Sequence, residues 1–297
     1  MECWYHYTEE GRGEPASYEE LSTWERVLHG GPWMDVKALR EYWKRMERLG
    51  IIPLVAELEG KVVGHLDVLF CEDPVLGRYL YLDVLMVHKE YRRRGVARAL
   101  VFKAEELARE RGVEKLVVQP ESYEGPSGLT YRSCGFTRAY EVVDYEIRSR
   151  SKTIPGSVKL VSVAPSEPPP VKTHPLLCGW YVASAKMWDY ATYPRDVYEV
   201  FQRHSITFKV DVEGEGYYVH LGENLMKLGA GYLCVWAPPN YGAESFRRVV
   251  KVASSMAHTL NITKVETRTL KPLSEILEEA GFKYGGRAEP FMVKEIG

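Results

Sequence analysis

Residues 79–98 read YLYLDVLMVHKEYRRRGVAR. Tyr79 to Val87 is rich in apolar and aromatic side chains, as a largely buried strand is. It runs into Arg92-Arg93-Arg94-Gly95-Val96-Ala97. Behind that turn Ala97, Leu100, Val101, Ala104 and Leu107 fall at helical spacing, which predicts a helix over 95–111 that Gly112 ends. A strand, a glycine-bearing turn and a helix N-terminus make an anion site, because first-turn N–H groups lack partners and the helix end is positive. Successive N–H groups from Arg92 to Ala97 can wrap an anion. Gly95 removes a Cβ where a ligand would press on the backbone, and Val96 and Ala97 open the helix beside it. Arg92, Arg93, Arg94 and Arg98 can add charge-assisted hydrogen bonds.

Downstream, Val113 to Gln119 reads as a strand, Ser127 to Ser133 as a short helix, and Gly135-Phe136 leads into a last strand. Upstream, residues 54–68 read as two strands about a Glu59-Gly60 turn. Residues 17–28 and 34–48 have helical spacing, and 3–8 read as a strand. A strand, a crossover helix and a strand imply a parallel pair inside a mainly antiparallel sheet, hence a mixed α/β fold flanked by helices.

The pattern occurs twice. Residues 208–222 repeat the strand, Glu-Gly turn and strand of 54–68. At an offset of 149 residues the segment after it aligns without a gap, and both copies close on Gly-Phe and a strand. A period this long marks duplicated domains. The proline-rich stretch 151–175 separates them, with Val158 to Val163 as the opening strand of the second copy. The expected organisation is a first domain over 1–150, a connector over 151–175 and a second domain over 176–297.

The first half resembles the GCN5-related N-acetyltransferase (GNAT) superfamily. Arg92, Gly95 and Ala97 fill that family's pyrophosphate signature, and Tyr131-Arg132-Ser133-Cys134-Gly135-Phe136 its closing one. The resemblance implies the acyl-CoA N-acyltransferase fold, present twice, with acetyl-CoA held by residues 92–98 and its pantetheine arm along Leu85, Met86 and Val87. It also implies Tyr131 as the acid that protonates the leaving thiolate, a task suited to a phenol that keeps its proton at neutral pH. The base is open among Asp83, His65 and Glu57, with Asp67 beside them. Period-two alternation puts Asp83 on the face of Leu85 and Val87. Glu124 and Ser127 stand where many relatives have Asn and Ala, which leaves the hold on the coenzyme's outer part unassigned.

In the second half Arg92, Gly95 and Ala97 become Tyr241, Glu244 and Phe246. Glu244 brings negative charge and Phe246 bulk, so no coenzyme is expected there. The aromatic run Trp180, Tyr181, Trp188, Tyr190 and Tyr193 is expected to pack an interdomain surface.

The implied activity is acetyl transfer from acetyl-CoA to a primary amine, of a small molecule or of a peptide or protein, by direct attack. The alternatives are a non-catalytic acyl-CoA-binding scaffold, a longer acyl group, or a hydroxyl acceptor. The net charge of −2 without a long basic block argues against nucleic acid. No apolar run suits a membrane span or a signal core, and five scattered cysteines without CxxC argue against a metal knuckle or a disulfide framework. No metal and a cytoplasmic location are therefore expected, in a monomer or a homodimer. Two Gln, three Asn and 27% charged residues suggest a heat-loving source.

Overall fold

The computed structural model describes residues 4–8, 11–22, 25–26, 40, 43–44, 46–47, 50–73, 75–120, 122–149, 159–162, 174–177, 205–224 and 229–297. The expected helix over 17–28 is not formed at 17–22, which make a turn, and of its described residues only 25–26 are helical; most of 34–48, most of 151–175 and the aromatic run from Trp180 to Tyr193 lie outside the described residues.

The first half opens with the hairpin β1 (Tyr5–Thr8) and β2 (Gly11–Pro15). Then come β3 (Ile51–Leu58), β4 (Lys61–Asp73), β5 (Gly77–Val87), α1 (Val96–Glu110), β6 (Lys115–Val118), α2 (Pro126–Ser133) and β7 (Thr137–Arg148). The second half holds β8 (Lys159–Ser162), β9 (His174–Leu177), β10 (Ser205–Val212), β11 (Glu215–Glu223), β12 (Ala230–Ala237), α3 (Ala243–Thr259), β13 (Lys264–Leu270), α4 (Ser274–Glu279) and β14 (Lys283–Glu295). Among the described residues no helix is long and apolar enough to cross a membrane.

One sheet carries both halves, in the order β3-β4-β5-β6-β14-β7-β13-β12-β11-β10-β8, with β9 also paired to β12. Among the described strands only β5·β6 and β12·β13 are parallel, as the crossover helices α1 and α3 require. The fold is thus the expected mixed, mainly antiparallel sheet flanked by helices, in doubled form. The last strand of each half leaves its own half. β7 pairs with β13, β14 pairs with β6, and β7 and β14 pair with each other at the centre.

The apolar stripe of α1, Leu100, Val101, Ala104 and Ala108, packs on Leu66, Val68, Leu80 and Leu82. A Cβ on Gly64 would come within 2.7 Å of Val96 on the same face, so only glycine lets the helix sit this close to β4. The other face of these strands buries Leu69, Tyr79 and Tyr81 with Met46 and Phe291. In the second half Val249, Val250, Ala253 and Ala257 of α3 pack on Val219, Leu233 and Val235. Each fully buried Leu or Val contributes roughly 1.5–3 kcal/mol by leaving water.

Candidate active site

The turn between β5 and α1 starts with His88, whose side chain caps a single 3-10 turn over Lys89–Tyr91. Two residues then take left-handed backbone, Arg93 at φ 62° and Gly95 at φ 83°. Gly95 is the N-cap of α1, and a Cβ there would meet no protein atom. The positive φ, not crowding within the protein, is therefore what calls for glycine. Gly95 has no side chain to cap the helix, so the N–H groups of the first turn stay available to a ligand. The first turn of α1 holds no acidic residue.

Arg92, Arg93, Arg94 and Arg98 are all exposed. Arg92 Nε donates to Val87 O at 3.3 Å, Arg94 lies over the Tyr91 ring, and Arg98 over the Phe102 ring. Among the described residues none of the four has a carboxylate partner. Their charge adds to that of the helix end.

Beside this turn the sheet opens. The parallel ladder of β5 and β6 ends at Leu82 opposite Val118, while β5 runs on to Val87. Leu85, Met86 and Val87 stay paired to β4 only, opposite Leu66, His65 and Gly64. All three are partly exposed, and Leu85 packs against the α1-side core.

A bulge accompanies the opening. Between the pairs Leu66·Leu85 and Val68·Leu82, two residues of β5, Asp83 and Val84, stand opposite Asp67 alone. The extra residue breaks the alternation that put Asp83 with Leu85 and Val87. Asp83 continues instead the face of Tyr81, away from α1. His65 and Asp67 point to that face too, since Leu66 and Val68 between and beyond them point to α1. His65 Nε2 lies 3.0 Å from Asp67 Oδ1. The contact is within ion-pair range but off line for a hydrogen bond, and buried Asp67 Oδ1 has no hydrogen-bond donor. Glu57 follows Val55, which pairs with His65, and alternation puts it on this same face, exposed at the end of β3.

Tyr131 lies on α2 across the opening. It is 4% exposed and shares a core cluster with Leu82 and Val118, whose pair marks the end of the ladder. Its ring meets Phe136 edge-on at 5.5 Å. Burial, helped by Cys134, pushes the phenol well above its ordinary range, so it holds its proton at any physiological pH. Glu124 pairs with Arg132 at 3.3 Å, and Arg132 covers the Tyr123 ring, which fixes the loop before α2. Cys134 is buried and its thiol is pushed up by burial, the opposite of an activated nucleophile.

The same turn in the second half is built differently. α3 begins at Ala243, so Glu244 sits in its first turn, as the alignment predicts. Phe246 does not crowd the turn. It is 1% exposed and packs into the core against Tyr217 and Tyr241. What fills the turn is Glu215 of β11. Its carboxylate accepts from Gly242 N at 3.2 Å and from Tyr217 Oη at 2.6 Å. The Tyr217 hydroxyl, then the Gly242 N–H, hold Glu215 below its usual range. The chain thus supplies its own anion at the α3 N-terminus. Nothing in the sequence around 238–246 announces it, because Glu215 arrives from another strand.

Residues 17–136 match the model of the Acetyltransferase (GNAT) family. Human N-acetyltransferase 8 is 36% identical over 85 residues, 28% of this chain and 37% of that protein. N-acetyltransferase family 8 member 3 of Rattus norvegicus is 35% identical over 102 residues, 34% of this chain and 44% of that protein. The chain thus spans less than half the length of these curated relatives. Among solved structures, a GCN5-related N-acetyltransferase from Anabaena variabilis superposes with a TM-score of 0.62 at 17% identity, over 95% of this chain and 72% of that one. Another from Kribbella flavida gives 0.56 at 13% identity, over 91% and 66%. Residues 17–136 thus match the GNAT acetyltransferase family model, and the chain's sheet has the GNAT-type fold in doubled form.

Proposed function

We propose that the first half transfers an acetyl group from acetyl-CoA to a primary amine by direct attack within a ternary complex. One observation carries this reading. The α1 N-terminus has uncapped N–H groups, two left-handed residues and four arginines without carboxylate partners among the described residues, and it stands where β5 and β6 part. Residues 92–98 would hold the diphosphate. The backbone of Leu85, Met86 and Val87 would hold the arm leading into the opening. When bound, the thioester supplies the acyl carbon.

The open sheet gives the reaction two sides. Tyr131 approaches from the α1 face, where a phenol that keeps its proton can give it to a departing thiolate. Asp83, His65 and Glu57 stand on the opposite face, where a base would take the proton of an incoming amine. Asp83 is the favoured base, because the bulge sets it at the opening itself. Backbone N–H groups of β5 would polarise the carbonyl. Buried Cys134 makes an acyl-enzyme route the poorer reading.

The second half, 176–297, takes no coenzyme at its own turn in this proposal, and 151–175 connects it to the catalytic half, 1–150, and brings its first strand, β8. Calorimetric titration with acetyl-CoA tests both statements. Saturable binding at one site per chain is expected, followed by turnover in a screen of amines. Two sites would refute a silent second half, and no binding by folded protein would refute the coenzyme role.

A further inference from the structure

A cavity of about 620 Å³ lies in the second half, far along the chain from the arginine turn. It sits between the end of β7, the middle of α3 and the turn that joins α4 to β14. The first half has the same corner, and there it is shut.

The two corners can be matched residue by residue. Lys115 of β6 pairs with Glu295, and its counterpart Lys264 of β13 pairs with Arg148. The residues before these partners, Lys294 and Ile147, therefore correspond. The glycines after the short helices agree: a Cβ on Gly135 would meet Lys294 at 3.5 Å, and one on Gly281 would meet Ile147 at 3.7 Å. The buried stripes of α1 and α3 match Phe102 to Lys251 and Glu105 to Ser254.

In the first half Lys294 Nζ reaches Glu105 Oε2 at 2.5 Å and lies over the Phe102 ring. The pair is nearly buried, at 16% and 8% side-chain exposure, and fills the corner with neutralised charge. In the second half each part of this plug is replaced. The long lysine becomes Ile147, the glutamate becomes Ser254, and the aromatic cover becomes Lys251. Arg148 and Lys283 also line the space. Glu146, the one carboxylate of the lining, is engaged by Lys264 at 3.1 Å. Arg148, Lys251 and Lys283 have no carboxylate partner among the described residues. The result is a cavity of ligand size lined by apolar Ile147 and Val250, two serine hydroxyls and three cations.

We propose that this cavity binds a phosphate-bearing small molecule. Its cations would take the phosphate oxygens and its apolar side chains the organic body. The inference does not depend on the acetyltransferase reading, because it uses neither the arginine turn nor the opening in the sheet.

ADP is the probe, titrated by calorimetry into protein carrying Gly95→Glu, so that the arginine turn adds no second anion site. Saturable binding is expected. Ile147→Lys with Ser254→Glu, which rebuilds the plug of the first half, should weaken it at least tenfold. Should that double variant not fold, Lys251→Glu at an exposed position should weaken it at least fivefold. No saturable binding by folded Gly95→Glu protein up to millimolar ADP would overturn the proposal. Undiminished binding in the folded plug variant, or in Lys251→Glu, would also overturn it. Inorganic phosphate as a second probe separates a nucleotide site from one for the bare anion, which should bind more weakly for want of contact with the apolar side chains.

Discussion

The N-termini of α1 and α3 occupy matching places in the two halves, yet one is open and the other is satisfied from within. At α1 the turn offers uncapped N–H groups among arginines that have no carboxylate partner among the described residues. At α3 the carboxylate of Glu215 accepts the Gly242 N–H, and Glu244 follows in the first turn. The fold therefore does not make the anion site, since it builds the same helix end twice. What decides is whether the chain spends that helix end on itself.

The sharpest way to break this contrast is to write the second turn into the first. Gly95→Glu brings a carboxylate and forces a left-handed backbone on a residue with a Cβ. Acetyl-CoA affinity should fall at least 1,000-fold, about 4 kcal/mol. Calorimetry would show it, with far-UV circular dichroism to confirm folding. Unchanged affinity would mean that the two turns differ in ways that do not matter.

Next in size is the plug. Glu105→Ala leaves Lys294 nearly buried without its carboxylate and should cost about 3 kcal/mol of unfolding free energy in a urea titration. Burial alone would raise the Glu105 carboxyl, but Lys294 and Arg109 outweigh it and hold it low. Its contribution is therefore present above the ordinary carboxylate range and fades as pH falls through the depressed value. Ser254→Ala, at the matching place, should cost far less.

Smaller again is the chemistry at the opening. Tyr131→Phe should lower kcat by roughly 10- to 100-fold and leave coenzyme affinity unaltered. Equal turnover would remove the phenol from the reaction. Asp83→Asn should flatten the acidic limb of kcat/KM against pH, where the rate rises as the base loses its proton, while Glu57→Gln should leave that profile unmoved.

The least effect is expected at the second turn itself. Glu215→Gln should cost roughly 0.5 kcal/mol at neutral pH, because the group is partly solvated. Its folded pKa lies below the ordinary value of 4.5, so wild type and variant should converge as pH falls below that value. A constant difference down to pH 3 would mean that the charge of Glu215 is not what satisfies α3.

What could be read in the sequence was local. The β5 to α1 segment gave its strand, turn and helix away because each signal lies within a few residues of the next. The doubled fold followed from the repeat of those same signals. The bulge at Asp83 and Val84 was hidden, because period-two counting assumes an unbroken pairing, and so the face of Asp83 was misread. Glu215 was hidden because a residue of β11 completes a turn that follows β12. The crossing of β7 and β14 was hidden for the same reason, since a strand's side-chain pattern names its faces and not its neighbours.

That crossing has a consequence for how the protein is made. β6 and β7 leave the ribosome early, but the strand that joins them, β14, follows long after; Lys294 and Glu105 are 189 residues apart in the chain. Until β14 arrives, the nascent first half holds two unpaired strand edges and a buried acid with no lysine. Closure over so long a separation is slow. The first half is thus synthesised first and finished last, and a ribosome that stalls before residue 283 would release it as a sheet still open to pairing with another copy.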